Sequence, residues 1–194
     1  MSELQLIAAA NEKIKNILRV AENISLISVN AILVARQADG HAVGFGVVAR
    51  ELRMSSERMA AAMLGLSSLI GRLVIATARS RSQARRLNNL NATGHCSKQA
   101  RASISAACQR SLTDLSAMAK TVKALRHELL SVISSTGKQC AVGMVIARSA
   151  AIEAAYGGAM QPVLRQIAVG IEASISDLSV HIHTLKTQLQ EVEA

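Results

Sequence analysis

Aromatic side chains are nearly missing from this sequence, which has no Trp, one Tyr, one Phe and also a single Pro in 194 residues. β-Sandwiches and barrels draw on aromatic and β-branched strand formers and on Gly/Pro turns, so this scarcity excludes most β folds. Half of the chain is nonetheless hydrophobic. Ala, Leu, Ile, Val and Met in long runs with Ser and Arg are what a helix tolerates best. The chain reads as all-α, one domain of ordinary size with a core of small aliphatic side chains.

Cysteine is scarce too. Cys96, Cys108 and Cys140 are odd in number and lack metal-type spacing, so they read as apolar residues of a reducing compartment. There is no Gly-rich phosphate loop, no Ser/His/Asp order and no isolated carboxylate pair. His181 and His183 are not the i, i+4 pair that holds a metal on a helix, and His181 reads as a buried, hydrogen-bonded side chain. No catalytic residue, cofactor or metal is expected, and an enzyme is the least supported class.

No unbroken apolar run reaches the roughly 20 residues of a membrane span. The nearest, Ala60 to Ala78, is interrupted by Ser67, Ser68 and Arg72, and Met1-Ser2-Glu3-Leu4 leads no basic region into an apolar stretch. The expectation is a soluble, cytoplasmic protein without a membrane span. Twenty-two Lys and Arg against thirteen Asp and Glu give +9 and a pI near 10.2, which opens acidic, nucleic-acid and anionic-membrane partners. The densest basic run, Arg79 to Arg86, is spread around a helix without aromatic interleaving. It reads as a solvated face, with nucleic-acid binding the weaker alternative.

The apolar positions follow a seven-residue repeat. A first seam runs Ile7, Ala10, Ile14, Ile17, Ala21, Ile24, Ser28, Ala31, Ala35 and Ala38. Asp39-Gly40-His41 reverses the chain, and a second seam runs Phe45, Val48, Leu52, Ser55, Met59, Ala62, Leu66 and Leu69, continuing to Leu90. After a polar stretch of Asn and Gly, a third seam runs from Cys108 through Leu112, Ala119, Leu129, Ile133 and Cys140 to Ala154 and Gly157, missing at Arg126. Beyond Gly157-Gly158 and Pro162 a fourth takes Leu164, Ile167, Ile171, Ser174, Leu178, His181, Leu185, Gln188 and Val192. Adding 119 to the first pair of seams gives the second pair, so the chain is two copies of one hairpin: residues 1–92, turning near 39–43, and residues 98–194, turning near 157–162. One hairpin cannot cover its own stripe. The two are therefore expected to close into a single elongated, antiparallel four-helix bundle over residues 1–194, supercoiled to the left.

Around the first turn, residues 29–58 read VNAILVARQADGHAVGFGVVARELRMSSER. This resembles, without a gap, the signalling hairpin of methyl-accepting chemotaxis receptors, through Asn30, Ala31, Ala35, Ala38, Gly44, Phe45, Val47, Val48, Ala49, Glu51, Arg53, Glu57 and Arg58. In the second copy, Ala147 to Gly158 is similar through Ala150, Ala151, Ile152, Glu153, Ala154 and Ala155. The resemblance implies a hairpin whose tip contacts a chemosensory histidine kinase, its coupling protein and other chemoreceptors, and two joined hairpins look like a receptor dimer's tip in one polypeptide. It places partner binding at Asn30, Val34, Phe45 and Val48 in copy one and at Glu153 and Tyr156 in copy two. Val34 and Gln37 stand where the family has its tip Glu and Arg, and Tyr156 stands where the second copy would have that Arg. A structural or interaction bundle with a different protein partner is the alternative reading. Gln190-Glu191 is the only pair resembling a methylation site, and its context predicts no methylation.

Overall fold

The computed structural model describes residues 3–38, 40, 42–92 and 98–190, with side chains described for 9–38, 40, 42–90 and 103–190. Ile7, Asp39, His41, Cys96 and Val192, which the sequence reading singled out, lie outside the residues whose side chains are described. The chain is all-α: α1 (Glu3–Gln37), α2 (Val43–Ala92), α3 (Lys98–Ala154) and α4 (Gln161–Gln190), with one turn of 3-10 helix at Gly158–Met160. No strand occurs among the described residues.

Glycine makes both reversals. Gly40 has φ +85° and Gly158 φ +56°, in the left-handed region that L side chains avoid. At the second turn the ladder tightens before it ends, with Tyr156 N–H donating to Glu153 O at 3.1 Å and Gly157 N–H to Ala154 O at 3.3 Å. Pro162 falls in the first turn of α4, where its missing N–H has no helical partner to lose.

The helices group into two compact units, Met1–Ser67 with Leu130–Ala194, and Ser68–Leu129. In the first, Ile14, Ile17, Ala21, Ile24, Ser28, Ala31 and Ala35 of α1, and Ala38 just beyond it, are all buried. So are their equivalents 119 residues on: Ile133, Thr136, Cys140, Gly143, Ala147, Ala150, Ala154 and Gly157. The buried hydroxyls are satisfied by their own helices, Ser28 Oγ donating to Ile24 O at 2.7 Å and Thr136 Oγ1 to Val132 O at 2.9 Å.

α2 and α4 correct the expected seam at alternate positions. The buried set on α2 is Phe45, Ala49, Leu52, Ser56, Met59, Met63 and Leu66, so Val48, Ser55 and Ala62 each yield to the next residue. α4 repeats the shift, burying Ala168, Ile175 and Ile182 in place of Ile167, Ser174 and His181. Stepping by four and then three, instead of three and then four, rotates the buried stripe toward the neighbouring helices. α1 packs along α4, and the short 3-10 turn touches both. Cys140 Sγ lies 3.8 Å from Met59 Sδ, joining α3 to α2. A core cluster of Ala31, Ala35, Ala38, Ala42, Phe45, Ala49, Ala150, Ala154, Leu164 and Ala168 draws on all four helices.

The second unit holds only parts of α2 and α3. Leu69, Ile70, Leu125 and Leu129 are its buried apolar residues, and Leu125 fills the place that Arg126 left empty on the third seam. Leu112, expected on that seam, is 56% exposed, and Ala119 is exposed as well. The unit draws on two helices, and its described heptad positions between Ile70 and Leu125 are at best half covered. Gln83 Nε2 donates to Ser111 Oγ across the pair at 3.4 Å.

One expectation about composition is revised. Three helical stretches, Ala9–Gln37, Val43–Leu90 and Ser103–Ala154, are long and apolar enough to cross a membrane by length and composition. Averaging over a window tolerates the Ser and Arg that break a continuous run, and outward-facing residues such as Leu26, Leu64 and Val145 raise that average.

Cys140 is deeply buried, and that burial pushes its thiol up to about 11 from the ordinary 9.0. The thiol is neutral until the alkaline range, so its contribution to stability is whole below pH 9 and is lost as pH rises toward 11. The loss amounts to roughly 2 to 3 kcal/mol. Urea titrations at pH 8 and about pH 11 should show wild type losing this much more than Cys140→Ala, which introduces the residue found at its repeat equivalent, Ala21. Equal losses in both proteins would contradict it.

Candidate functional site

The sequence-derived site maps to the end of the first unit where both turns lie. Phe45 is 0% exposed. Its ring is therefore closed to direct contact from outside. Val34 and Val48 are half buried and pack against the same cluster, with Ala150 and Ala154. Because that cluster is mostly Ala, helix axes approach closely there, and a narrow, well-packed end results.

Glu153 is half buried and lies directly against Gly44. A Cβ on Gly44 would fall on the Glu153 carboxylate, so the Gly of the Gly-Phe pair is the space that admits an acidic side chain from the other hairpin. That carboxylate sits beside the first turn of α2, where unsatisfied N–H groups and the helix dipole favour negative charge. Gly157 is constrained in the same way, since a Cβ there would meet the Leu164 side chain. Asn30 is exposed on α1, and Tyr156 is 69% exposed at the end of α3. The structure thus brings Val34, Phe45 and Val48 into one cluster and Glu153 onto Gly44, while Asn30 and Tyr156 face solvent.

The charged residues of the resemblance pair with one another along the outside of α2: Arg53 with Glu57 and Arg58 with Glu51, each at 2.9 Å. Exposed pairs of this kind hold a helix surface in order and add only a few tenths of a kcal/mol each.

Sequence reasoning missed the large apolar residues that this end leaves in solvent. Leu33 on α1, Val43 and Val47 on α2, Ile152 on α3 and Val163 on α4 are all exposed, at 51%, 64%, 54%, 62% and 43%. All five are off the seams yet within about three helical turns of a reversal, and that combination was the available signal. An apolar rim around a well-packed end suits protein contact.

Elsewhere, His181 is half buried, with Nε2 3.4 Å from Asp177 Oδ1 and its buried Nδ1 without a hydrogen-bond partner. His183 is exposed, and no group of three His, Cys, Asp or Glu side chains able to hold a metal occurs among the described residues. A groove of about 310 Å³ in the second unit is lined by Ala76, Arg79, Asp114, Ala117, Met118 and Thr121. No protein-family profile matches the chain, and no curated protein matches it in sequence.

Proposed function

We propose that this protein is a non-enzymatic, cytoplasmic signal-transduction module, a chemoreceptor-like signalling tip whose two hairpins close into one antiparallel four-helix bundle. Its turn-bearing end captures a chemosensory histidine kinase and its coupling protein. The observation that carries the reading is the Gly44-Phe45 pair set in the duplicated burial pattern. Equivalent positions 119 residues apart are buried on α1 and α3 and on α2 and α4 alike, and Gly44 of one hairpin receives Glu153 of the other. Two hairpins related in this way are what a receptor dimer's tip becomes when one chain supplies both halves.

The contact surface in this reading is the apolar rim with Asn30 and Tyr156, held in shape by Phe45, Val34 and Val48. Binding to such a pre-formed end loses little ordering entropy. The departures at Val34, Gln37 and Tyr156 favour a second reading, an interaction bundle that keeps the architecture but binds another protein. Titrating the full chain with the coupling protein and kinase separates the two. Saturable binding that Tyr156→Asp weakens about tenfold or more supports the first, because an exposed aromatic anchor is lost without damage to the core.

A further inference from the structure

The chain's positive charge is not spread over the molecule. The unit Met1–Ser67 with Leu130–Ala194 contains eleven Lys and Arg and eleven Asp and Glu. The unit Ser68–Leu129 contains eleven Lys and Arg against Asp114 and Glu128 alone, so the whole +9 resides in it. From Arg58 to Thr113 there is no acidic residue. Asp114 and Glu128 are the only carboxylates in its sequence, and Asp114 shares a groove with Arg79. A two-helix segment carrying that excess repels itself, and a polyanion relieves the repulsion.

We propose that the arginine-bearing stretch of α2 in this unit, Arg72 to Asn89, forms a docking surface for duplex nucleic acid, bound through its phosphates without regard to sequence. All five cations on α2 in this unit are Arg, whose planar fork matches phosphate in a bidentate way. Arg72, Arg79 and Arg86 are exposed at heptad spacing, one stripe about 21 Å long on a helix rising about 1.5 Å per residue. A duplex presents roughly a dozen phosphates over that length. Ser82, Asn88 and Asn89 are exposed between and beyond them and add the neutral donors that commonly accompany phosphate contacts. The unit contains no Phe, Tyr or Trp, so it has no platform on which single-stranded bases stack. Firm anchoring in a lipid surface adds the insertion of apolar side chains to the attraction of charge, and among the described residues of this unit the large exposed ones are Ile75 and Leu112.

The test is fluorescence anisotropy of the full chain with a labelled DNA duplex of about 30 base pairs at about 50 and 200 mM salt. With about five phosphates engaged, affinity should fall roughly 500-fold between the two salt concentrations. Arg72→Glu with Arg86→Glu should weaken binding at low salt by about tenfold or more and lower the salt slope by about two. Lys138→Glu with Arg165→Glu makes the same change in net charge on exposed residues of the neutral unit, and should alter affinity by less than about threefold. Retained helical circular dichroism in both variants confirms that they fold. Absence of duplex binding at low salt would overturn the proposal, as would equal loss in both variants. Tighter binding to vesicles containing phosphatidylserine, or to a mixed single strand, would overturn it in favour of those ligands.

Discussion

Replacing Phe45 with Ala should lower the unfolding free energy by about 3 to 5 kcal/mol, the range for truncating a buried aromatic. The ring is fully buried, and the other buried members of its cluster are Ala apart from Leu164, with Val34, Val48 and Ile167 half buried against it. An Ala has no rotamer with which to fill a void, so the cavity stays open and its lining atoms lose their contacts. Phe45→Leu introduces the residue found at the equivalent position, Leu164, and should cost less than about 1.5 kcal/mol. Urea denaturation of both variants measures the difference. A loss below about 1 kcal/mol for Phe45→Ala would mean that the ring is not packed as described.

A larger effect is expected at Met63. Met63 is 0% exposed, whereas Ala62, its seam neighbour, is half buried. Met63→Asp places a charge among apolar side chains, at a penalty of several kcal/mol, comparable with the whole stability of a domain, and should unfold the chain. Ala62→Asp can turn its carboxylate to water and should remain within about 1 kcal/mol of wild type. Thermal melts followed by circular dichroism distinguish the two. If Ala62→Asp unfolded the protein and Met63→Asp did not, the stripe assigned to α2 would be the wrong one.

That pair of residues also marks the limit of what the sequence could tell. On α1 and the second half of α3, period and turn placement located the stripe residue by residue, from Ile14 to Ala38 and from Ile133 to Gly157, even at Ser28 and Gly143, which are flanked by the larger apolar residues Ile27 and Val29, and Val142 and Met144. On α2, Val48 and Ala49, and Ala62 and Met63, are adjacent apolar pairs. Both members satisfy a heptad, and only the position of the neighbouring helices chooses between them. On α4 the choice was readable. Ile175 beside Ser174 and Ile182 beside His181 are the more apolar members, and a seam stepped by four and then three from Leu164 takes both.

Beyond Ile70 and before Leu125 the repeat continues without burial, because period reports which side of a helix is apolar and not how many helices face it. The site was legible in part. The Gly44-Phe45 pair was visible, but Glu153 resting on Gly44 was not, since no local pattern links residues so far apart in the chain. The confinement of the net charge to residues 68–129 needed the boundaries of the unit.

The functional reading is tested most directly by calorimetric titration of the full chain with the chemosensory coupling protein and the kinase, alongside Ile152→Asp and Lys138→Glu. Both substituted residues are exposed on α3, and Lys138 lies about 24 Å along the helix from its tip end at Ala154. The account predicts saturable binding with a dissociation constant in the micromolar range, on the order of 8 kcal/mol, weakened about tenfold or more by Ile152→Asp and unchanged by Lys138→Glu. No heat of binding with either protein at concentrations of about 100 μM, or equal weakening by the two substitutions, would contradict it.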